Sequence, residues 1–539
     1  MATVTTWAGA HPTPHPAPRP AKDEHRNLSS SMNRVLTELG SLRDSARGSH
    51  TTARNSSRKS ADNENAVHDL RVSIRRCRSI ASVMEEVDPD PAWPEMRQAA
   101  KKLFQGLGEL RDSQVRKGWI EKLAPAEDPI AAHLLAEFTA REPQLLQQAL
   151  HAARKFDEKN WQRLERVLRR RSHLIPPGSV AAECLALERF EAAKELHARA
   201  LRTEKSKPWH ALRGHVKRFR YTVENLLPQH HASWRENLKR VQDLLGDAHD
   251  LDVLKETVES AAVGDAEASR RIWREILARE RSERIAAYRQ LMVGSTSLWS
   301  AWRHALPHGE RLQAAAMGRL RATARAADVR PRRTARTTRI ARSLFDCLRR
   351  AKASETFTNP RARQLLVAAA SLISVRNPVA GKTPQPKSAQ KAAHRFLQQL
   401  PMPPGFSTQD WAVLLATVRY HRGAEPREKS PVFAKLSVGQ QAEVRALAGV
   451  LRLARALRKS GVDTASRFRA EVTPEAILLR IPGLPDSIET AARLAAAKHL
   501  LEVCLAQPIV LRPTPKPTQV AAPASAPEAE LLHFAAASD

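Results

Sequence analysis

One helical pattern occurs twice in this chain. His68, Arg71, Arg75 and Arg78 recur as His210, Arg213, Lys217 and Arg220, with the same steps of three, four and three residues. Side chains share a strand face every two residues and a helix face every 3.6. Steps of three and four suit only the helix. At about 100° per residue the four positions fall near 0°, 300°, 340° and 280°. They form one narrow cationic stripe, roughly 15 Å long at a rise of 1.5 Å per residue. Apolar positions repeat with it: Leu70 with Leu212, Ile74 with Val216, Cys77 with Phe219. On the same wheel these lie near 200°, 240° and 180°. The stripe therefore runs beside the core seam and does not point straight away from it.

A second block repeats further on. Arg97, Lys101, Lys102, Leu107, Gly108, Glu109, Asp112 and Val115 correspond to Arg235, Lys239, Arg240, Leu245, Gly246, Asp247, Asp250 and Val253. The offset changes from 142 (210 − 68) to 138 (235 − 97), so the first copy holds four extra residues between the blocks, and the Pro89-Asp90-Pro91 turn is the place for them. Each copy is then a pair of helices, both with basic stripes. An antiparallel hairpin would turn the stripes toward a shared groove.

Like charges at i,i+3 and i,i+4 weaken an isolated helix by some tenths of a kcal/mol per pair. No acid within the ladder offsets them. Any single Arg or Lys reads as part of a solvated face, but the set recurs at the same angles, which points to an extended anion. Net charge supports that reading: 88 Lys and Arg against 57 Asp and Glu leave +31. Aromatic residues make up 5% of the chain, which disfavours single-stranded nucleic acid held by base stacking. The four cysteines, Cys77, Cys184, Cys347 and Cys504, form no CxxC pair, so neither a disulfide framework nor a zinc knuckle is expected and a reducing cytoplasm fits. No apolar run approaches a membrane span, and the Pro/His-rich N-terminus lacks a signal core.

The expected architecture is all-α, 28–305 and 336–512 being helical, with 306–335 as a basic linker. Residues 1–27 and the Pro/Ala-rich segment 513–539 read as disordered tails. The helical region 28–305 splits into halves of about 28–170 and 180–305. Breaks are expected at Pro89 to Pro94, Pro125 to Pro129, Pro176-Pro177 and Pro228, and Gly48 to Asn65 reads as a loop ending in cap residues Asp62 to Asn65. Asn377 to Lys387 is a Pro/Lys-rich loop. Residues 476–481 are a candidate strand before a Pro-Gly turn. Gly108 and Gly246 read as close-packing or helix-end positions. Asp112, Asp250 and Asp252 read as caps or partners for Arg. No nucleophile–base pair, phosphate-cradling glycine loop or HExxH motif is present, so no catalytic residue, metal ligand or cofactor is expected.

The ladder resembles the signature of the conserved histidine α-helical domain, CHAD: H-x-x-R-x-x-x-[RK]-x-x-R, read at His68 to Arg78 and at His210 to Arg220, followed by Tyr221. The LG[ED]xxD element at Leu107 and Leu245 fits as well. Gln114, where the second copy has Asp252, departs from the repeat. The resemblance implies two four-helix halves related by a pseudo-twofold axis, with a basic groove between them. It also implies binding of inorganic polyphosphate and association with polyphosphate granules in the cytoplasm. The residues that would carry binding are His68, Arg71, Arg75, Arg78, Arg97, Lys101, Lys102, His210, Arg213, Lys217, Arg220, Tyr221, Arg235, Lys239 and Arg240. The C-terminal half resembles, more faintly, the HD-type helical domain of exopolyphosphatases and guanosine pentaphosphate phosphatases. It does so through Arg339 to Asp346, Leu365 to Leu372, Val418 to Arg422 and Leu451 to Leu457. Where that family keeps its metal-binding His-Asp pair, this chain has Ser374-Val375, so a non-catalytic relic is expected. Non-specific nucleic-acid binding and a polyphosphate-processing enzyme are the alternatives. No membrane partner is expected.

Overall fold

The structure is a computed structural model that describes residues 28–47, 56–203, 205–264, 266–376, 388–462 and 468–514. The tail expected at 1–27, most of that at 513–539 and the loop 377–387 lie outside these residues. The chain divides into two compact units, Met1–Ala322 and Thr323–Asp539.

The first unit is helical throughout its described residues. Its first half contains α1 (Leu28–Arg47), α2 (Ser56–Met84), α3 (Ala92–Gly106), α4 (Gly108–Leu123), α5 (Pro129–Arg154) and α6 (Glu158–Ser172). The second half contains α7 (Val180–Ala200), α8 (Ser206–Leu226), α9 (Pro228–Glu259), α10 (Glu267–Met292) and α11 (Leu298–Ala305). The ladders lie on α2 and α8. The halves pack in the same order: α1 on α2 as α7 on α8, α2 on α3 as α8 on α9, and α4 on α5 as α9 on α10. Each half thus exceeds the four helices that the family resemblance implies.

One difference between the copies is informative. In the first, the chain breaks at Leu107 between α3 and α4; in the second, α9 runs through the corresponding Leu245-Gly246 without interruption. Beside the break, Gly106 lets α5 approach closely, since a Cβ there would sit 2.3 Å from the Ala152 Cβ. Gly108 opens α4 and fits a helix-end role, whereas Gly246 lies mid-helix with no neighbour within 4 Å of an added Cβ and fits neither expected role.

The apolar arc predicted for the ladder helices is the core. Leu70, Ile74 and Cys77, with Leu212, Val216 and Phe219, have no exposed surface. Each such side chain contributes roughly 1.5–3 kcal/mol of burial. A smaller core joins α4 and α5 to α9 and α10 through Ile120, Ile130, Phe138, Leu254 and Trp273. Asp128 ties it together: its carboxylate caps α5 at the Ala131 amide, 2.7 Å away, and accepts the Trp273 indole N–H at 2.9 Å.

α12 (Gly309–Ala327) begins in the first unit and ends in the second. The second unit continues with α13 (Pro331–Arg350), α14 (Glu355–Thr358), α15 (Pro360–Leu372), α16 (Ala389–Gln398), α17 (Thr408–Tyr420), α18 (Val438–Lys459) and α19 (Ile488–Leu505). α18 is the central helix, packed on α13, α17 and α19. Its start is fixed by a capping box between Ser437 and Gln440. Three strands complete the unit: β1 (Arg469–Val472), β2 (Ile477–Pro482) and β3 (Ile509–Thr514). β1 pairs antiparallel with β2, and β2 pairs parallel with β3 across the α19 crossover, with Ile477 opposite Ile509.

Three expectations are corrected here. The supposed linker 306–335 is mostly helix, α12 and the first turn of α13. Within it, Arg319 is fully buried, 2.8 Å from the Glu188 carboxylate. The stretch expected as a loop to Asn65 is helical from Ser56. The second helical region does not continue to the C-terminal tail, because Ile509 to Thr514 form β3. The candidate strand at 476–481 is β2.

Candidate anion-binding site

The turn Pro89 to Pro91 returns the chain from α2 to α3. It is held by Asp88, which is fully buried: its carboxylate accepts the Trp93 indole N–H at 2.7 Å and the Arg171 Nε–H at 2.6 Å. This fixes α3 against α2 and brings Phe104 under the ladder. The guanidinium groups of Arg71, Arg78 and Arg75 lie 4.1, 5.0 and 6.0 Å from the Phe104 ring centroid. One aromatic ring thus has three cations within about 6 Å of its centre. Phe104 is absent from the predicted set. The repeat could not show it, since the corresponding position in the second copy is Gln242.

α2 and α8 pack side by side. Arg75 Nη1 donates to the Tyr221 hydroxyl at 3.5 Å, and Arg76 pairs with Glu224 at 3.4 Å. Lys217 of α8 lies among the cations of both ladders. Burial pushes its ammonium down to about 7, and the charges of Arg75, Arg213, Arg78 and Arg71 add to the effect. Burial likewise lowers Arg78, with Arg97 and Arg75 contributing. The Nε atoms of Arg71, Arg75, Arg78 and Arg220 are buried without a hydrogen-bond partner. Cations from two helices converge, and part of their donor capacity is unspent.

Arg71 differs from its neighbours in the ladder. It is only 8% exposed, and its Nη1 donates to the carbonyls of Leu107 at 2.9 Å and Phe104 at 3.4 Å. Phe104 lies in the last turn of α3, and Leu107 is the single residue that joins α3 to α4. Its Nη2 lies 3.6 Å from the Asp112 carboxylate, and burial holds its pKa down at about 10. Arg71 therefore closes the break between α3 and α4 as well as belonging to the stripe.

Acids do stand beside the stripes, although none lies in the ladder. Burial raises Asp250 to about 6; Arg213 opposes the shift, while Asp247 and Asp112 add to it. His210 Nε2 lies 2.9 Å from Asp252, which also accepts the Arg281 Nε–H at 2.8 Å. His210 thus faces a carboxylate. At the matching place in the first copy, Gln114 accepts a bond from Arg111 at 3.4 Å. Asp112 and Asp252 pair with arginines as expected. His68 is exposed.

The second basic stripe is only partly drawn in. Arg97 bonds Glu85 at 2.7 Å and bears electrostatically on Arg78. Lys101, Lys102, Arg235, Lys239 and Arg240 are exposed on α3 and α9 and are not among the groups that perturb the buried cations. Among the described residues, no group of three or more His, Cys, Asp or Glu side chains could hold a metal ion, and no helix is long and apolar enough to cross a membrane.

The family model for the CHAD domain matches residues 46–259, spanning both ladders and both second blocks. This part of the chain is a CHAD domain. No curated protein matches the chain. The CHAD family is associated with polyphosphate binding. In this CHAD domain the signature histidines and arginines lie along α2 and α8, the two helices whose cations bear on Lys217.

Proposed function

We propose that the CHAD domain binds inorganic polyphosphate, without turning it over, on the cations that converge from α2 and α8. The observation that carries this reading is the meeting of the two ladders: Arg75 of α2 reaches the Tyr221 hydroxyl of α8 at 3.5 Å, the Nε atoms of Arg71, Arg75, Arg78 and Arg220 are buried without a hydrogen-bond partner, and burial with the charges of Arg75, Arg213, Arg78 and Arg71 lowers the Lys217 ammonium. An extended polyanion would relieve that repulsion and take up the unused guanidinium donors through charge-assisted hydrogen bonds. The exposed cations Lys101, Lys102, Arg235, Lys239 and Arg240 would contact a longer chain. The second unit, with Ser374-Val375 in place of a His-Asp pair, is read as non-catalytic. Association with polyphosphate granules follows from the same binding.

The test is equilibrium binding of long-chain polyphosphate to the full chain at moderate salt. The variant Arg75→Glu, Lys217→Glu, Arg220→Glu is expected to bind at least about tenfold more weakly, a loss of about 1.4 kcal/mol. Equal binding overturns the proposal, as does displacement by duplex DNA at equal phosphate concentration. Phosphate release from polyphosphate above background with Mg²⁺ or Mn²⁺ overturns the non-catalytic part.

A further inference from the structure

The second unit holds its own concentration of positive charge. A small, partly open cleft is lined by Arg330 and Arg333 at the start of α13, Arg376 after α15, Arg422 after α17, and Arg455 and Arg458 of α18. Among the described residues, no Asp or Glu lines it. Six guanidinium groups from four parts of the chain meet there without a lining counter-charge, an arrangement that is costly unless an anion completes it.

The cleft is built in depth. Arg330, Arg333, Arg376 and Arg422 are exposed at its rim, while Arg455 and Arg458 are half-buried. Burial holds Arg455 down at about 10, with Arg422, Arg458 and Arg452 adding to the effect. Two polar groups in the wall are unpartnered. Thr334, 4% exposed, has a buried hydroxyl with no hydrogen bond, and the Nε of Arg458 is in the same state. Natural interiors seldom leave such groups unsatisfied, so they point to a ligand. His421 also lines the cleft, 2% exposed, with Nδ1 2.7 Å from the Val418 carbonyl. Burial drives its pKa down to about 3, so it adds no charge. The cleft opens at the N-terminal turn of α13, the helix end that favours anions.

We propose that this cleft binds a compact anion carrying several phosphate groups, supplied either as a free small molecule or as the end of a phosphate chain. Arginine forks match phosphate oxygens two at a time, and the Thr334 hydroxyl supplies a further donor. The reading stands apart from the ladder of the first unit, since no residue is shared.

Calorimetric titration of the full chain with tripolyphosphate at fixed salt tests it. Arg455→Gln with Arg458→Gln is expected to weaken binding at least about tenfold, which is about 1.4 kcal/mol. The exposed pair Arg333→Gln with Arg376→Gln, which threatens the fold far less, is expected to weaken it in the same direction. Arg75→Gln with Lys217→Gln in the first unit is expected to reduce binding of long chains while keeping the tripolyphosphate binding that the cleft variants lose. Unchanged affinity in both cleft variants overturns the proposal, and so does loss of tripolyphosphate binding in the first-unit variant. Long-chain polyphosphate then identifies the source. Competition in proportion to its number of chain ends supports the cleft as a chain-end site, and lack of competition supports it as a site for a free small anion.

Discussion

Arg71 donates to the carbonyl of Leu107 at 2.9 Å, across the break that separates α3 from α4. Its counterpart Arg213 has no such task, because α9 crosses the corresponding point as one unbroken helix. Two residues that look equivalent in the repeat are therefore expected to fail differently. Arg71→Ala should destabilise the first unit by about 1.5–3 kcal/mol, the range for a lost hydrogen bond from a charged donor. Arg213→Ala should cost less than about 1 kcal/mol in stability and act mainly on anion affinity. Urea unfolding followed on the first unit's transition, beside a binding titration, separates the two. Equal stability losses would refute the distinction.

The ladder, its angular separation from the core and the proline breaks are legible in the sequence because each is a local periodic signal. Leu70, Ile74 and Cys77 lie where a helical wheel puts them. The start of α2 at Ser56 is not legible, since Ser56 to Asn65 contains no apolar periodicity. Arg319 reads as one more solvated cation of a basic stretch, and only the fold supplies Glu188 and the interior that buries it. The cleft of the second unit has no linear motif at all. Its arginines come from positions as far apart as Arg330 and Arg458, and a composition count assigns them to the general positive charge. Phe104 escapes for a different reason: repeat logic favours what both copies share, and the aromatic platform belongs to one.

Asp88 is the anchor of the α2–α3 turn. Its buried carboxylate faces the Trp93 indole and the Arg171 guanidinium. Removing one partner of a buried pair strands the other charge, at a cost of about 3–5 kcal/mol. Arg171→Ala is thus expected to lower the stability of the first unit by about that amount, and Asp88→Asn by less, since the amide keeps the shape and one acceptor. Because the turn sets Phe104 beneath Arg71 and Arg78, the folded fraction of Arg171→Ala should also bind polyphosphate more weakly. Thermal unfolding and titration below the transition check both effects.

Salt should separate residues that touch the polymer from residues already paired. A flexible polyanion releases about 0.7 counterions for each phosphate neutralised by a protein cation, so removing one such cation reduces the log–log salt slope by about that much. Lys101→Gln and Lys239→Gln, on exposed surface, should each reduce the slope and leave stability unchanged. Arg97→Gln should change it less, because Arg97 already bonds Glu85 at 2.7 Å. Affinities measured from low to moderately high salt give the slopes. If Arg97→Gln reduced the slope as much as Lys101→Gln, the Glu85 pairing would not persist in the complex.

Lys217 makes binding depend on pH. Its ammonium is pushed from its usual 10.5 down to about 7, first by burial and then by the surrounding arginines. Between those values the unfolded chain holds the proton and the folded chain does not. The charged, buried ammonium therefore costs stability at and below pH 7, and that cost is relieved as pH rises toward 10.5. Anion binding runs the other way, since a bound polyanion favours the charged form and draws in the proton. Affinity for long-chain polyphosphate is expected to rise as pH falls from about 8.5 to about 6.5, by up to about tenfold per unit. Asp250, raised to about 6, loses its charge mostly below this window and would strengthen anion binding there in its own right. Lys217→Arg, charged throughout, separates the two: it should flatten the dependence within that window and keep the part below. Titrations at constant ionic strength measure both segments, and a dependence that survived unchanged in Lys217→Arg would show that another group carries it.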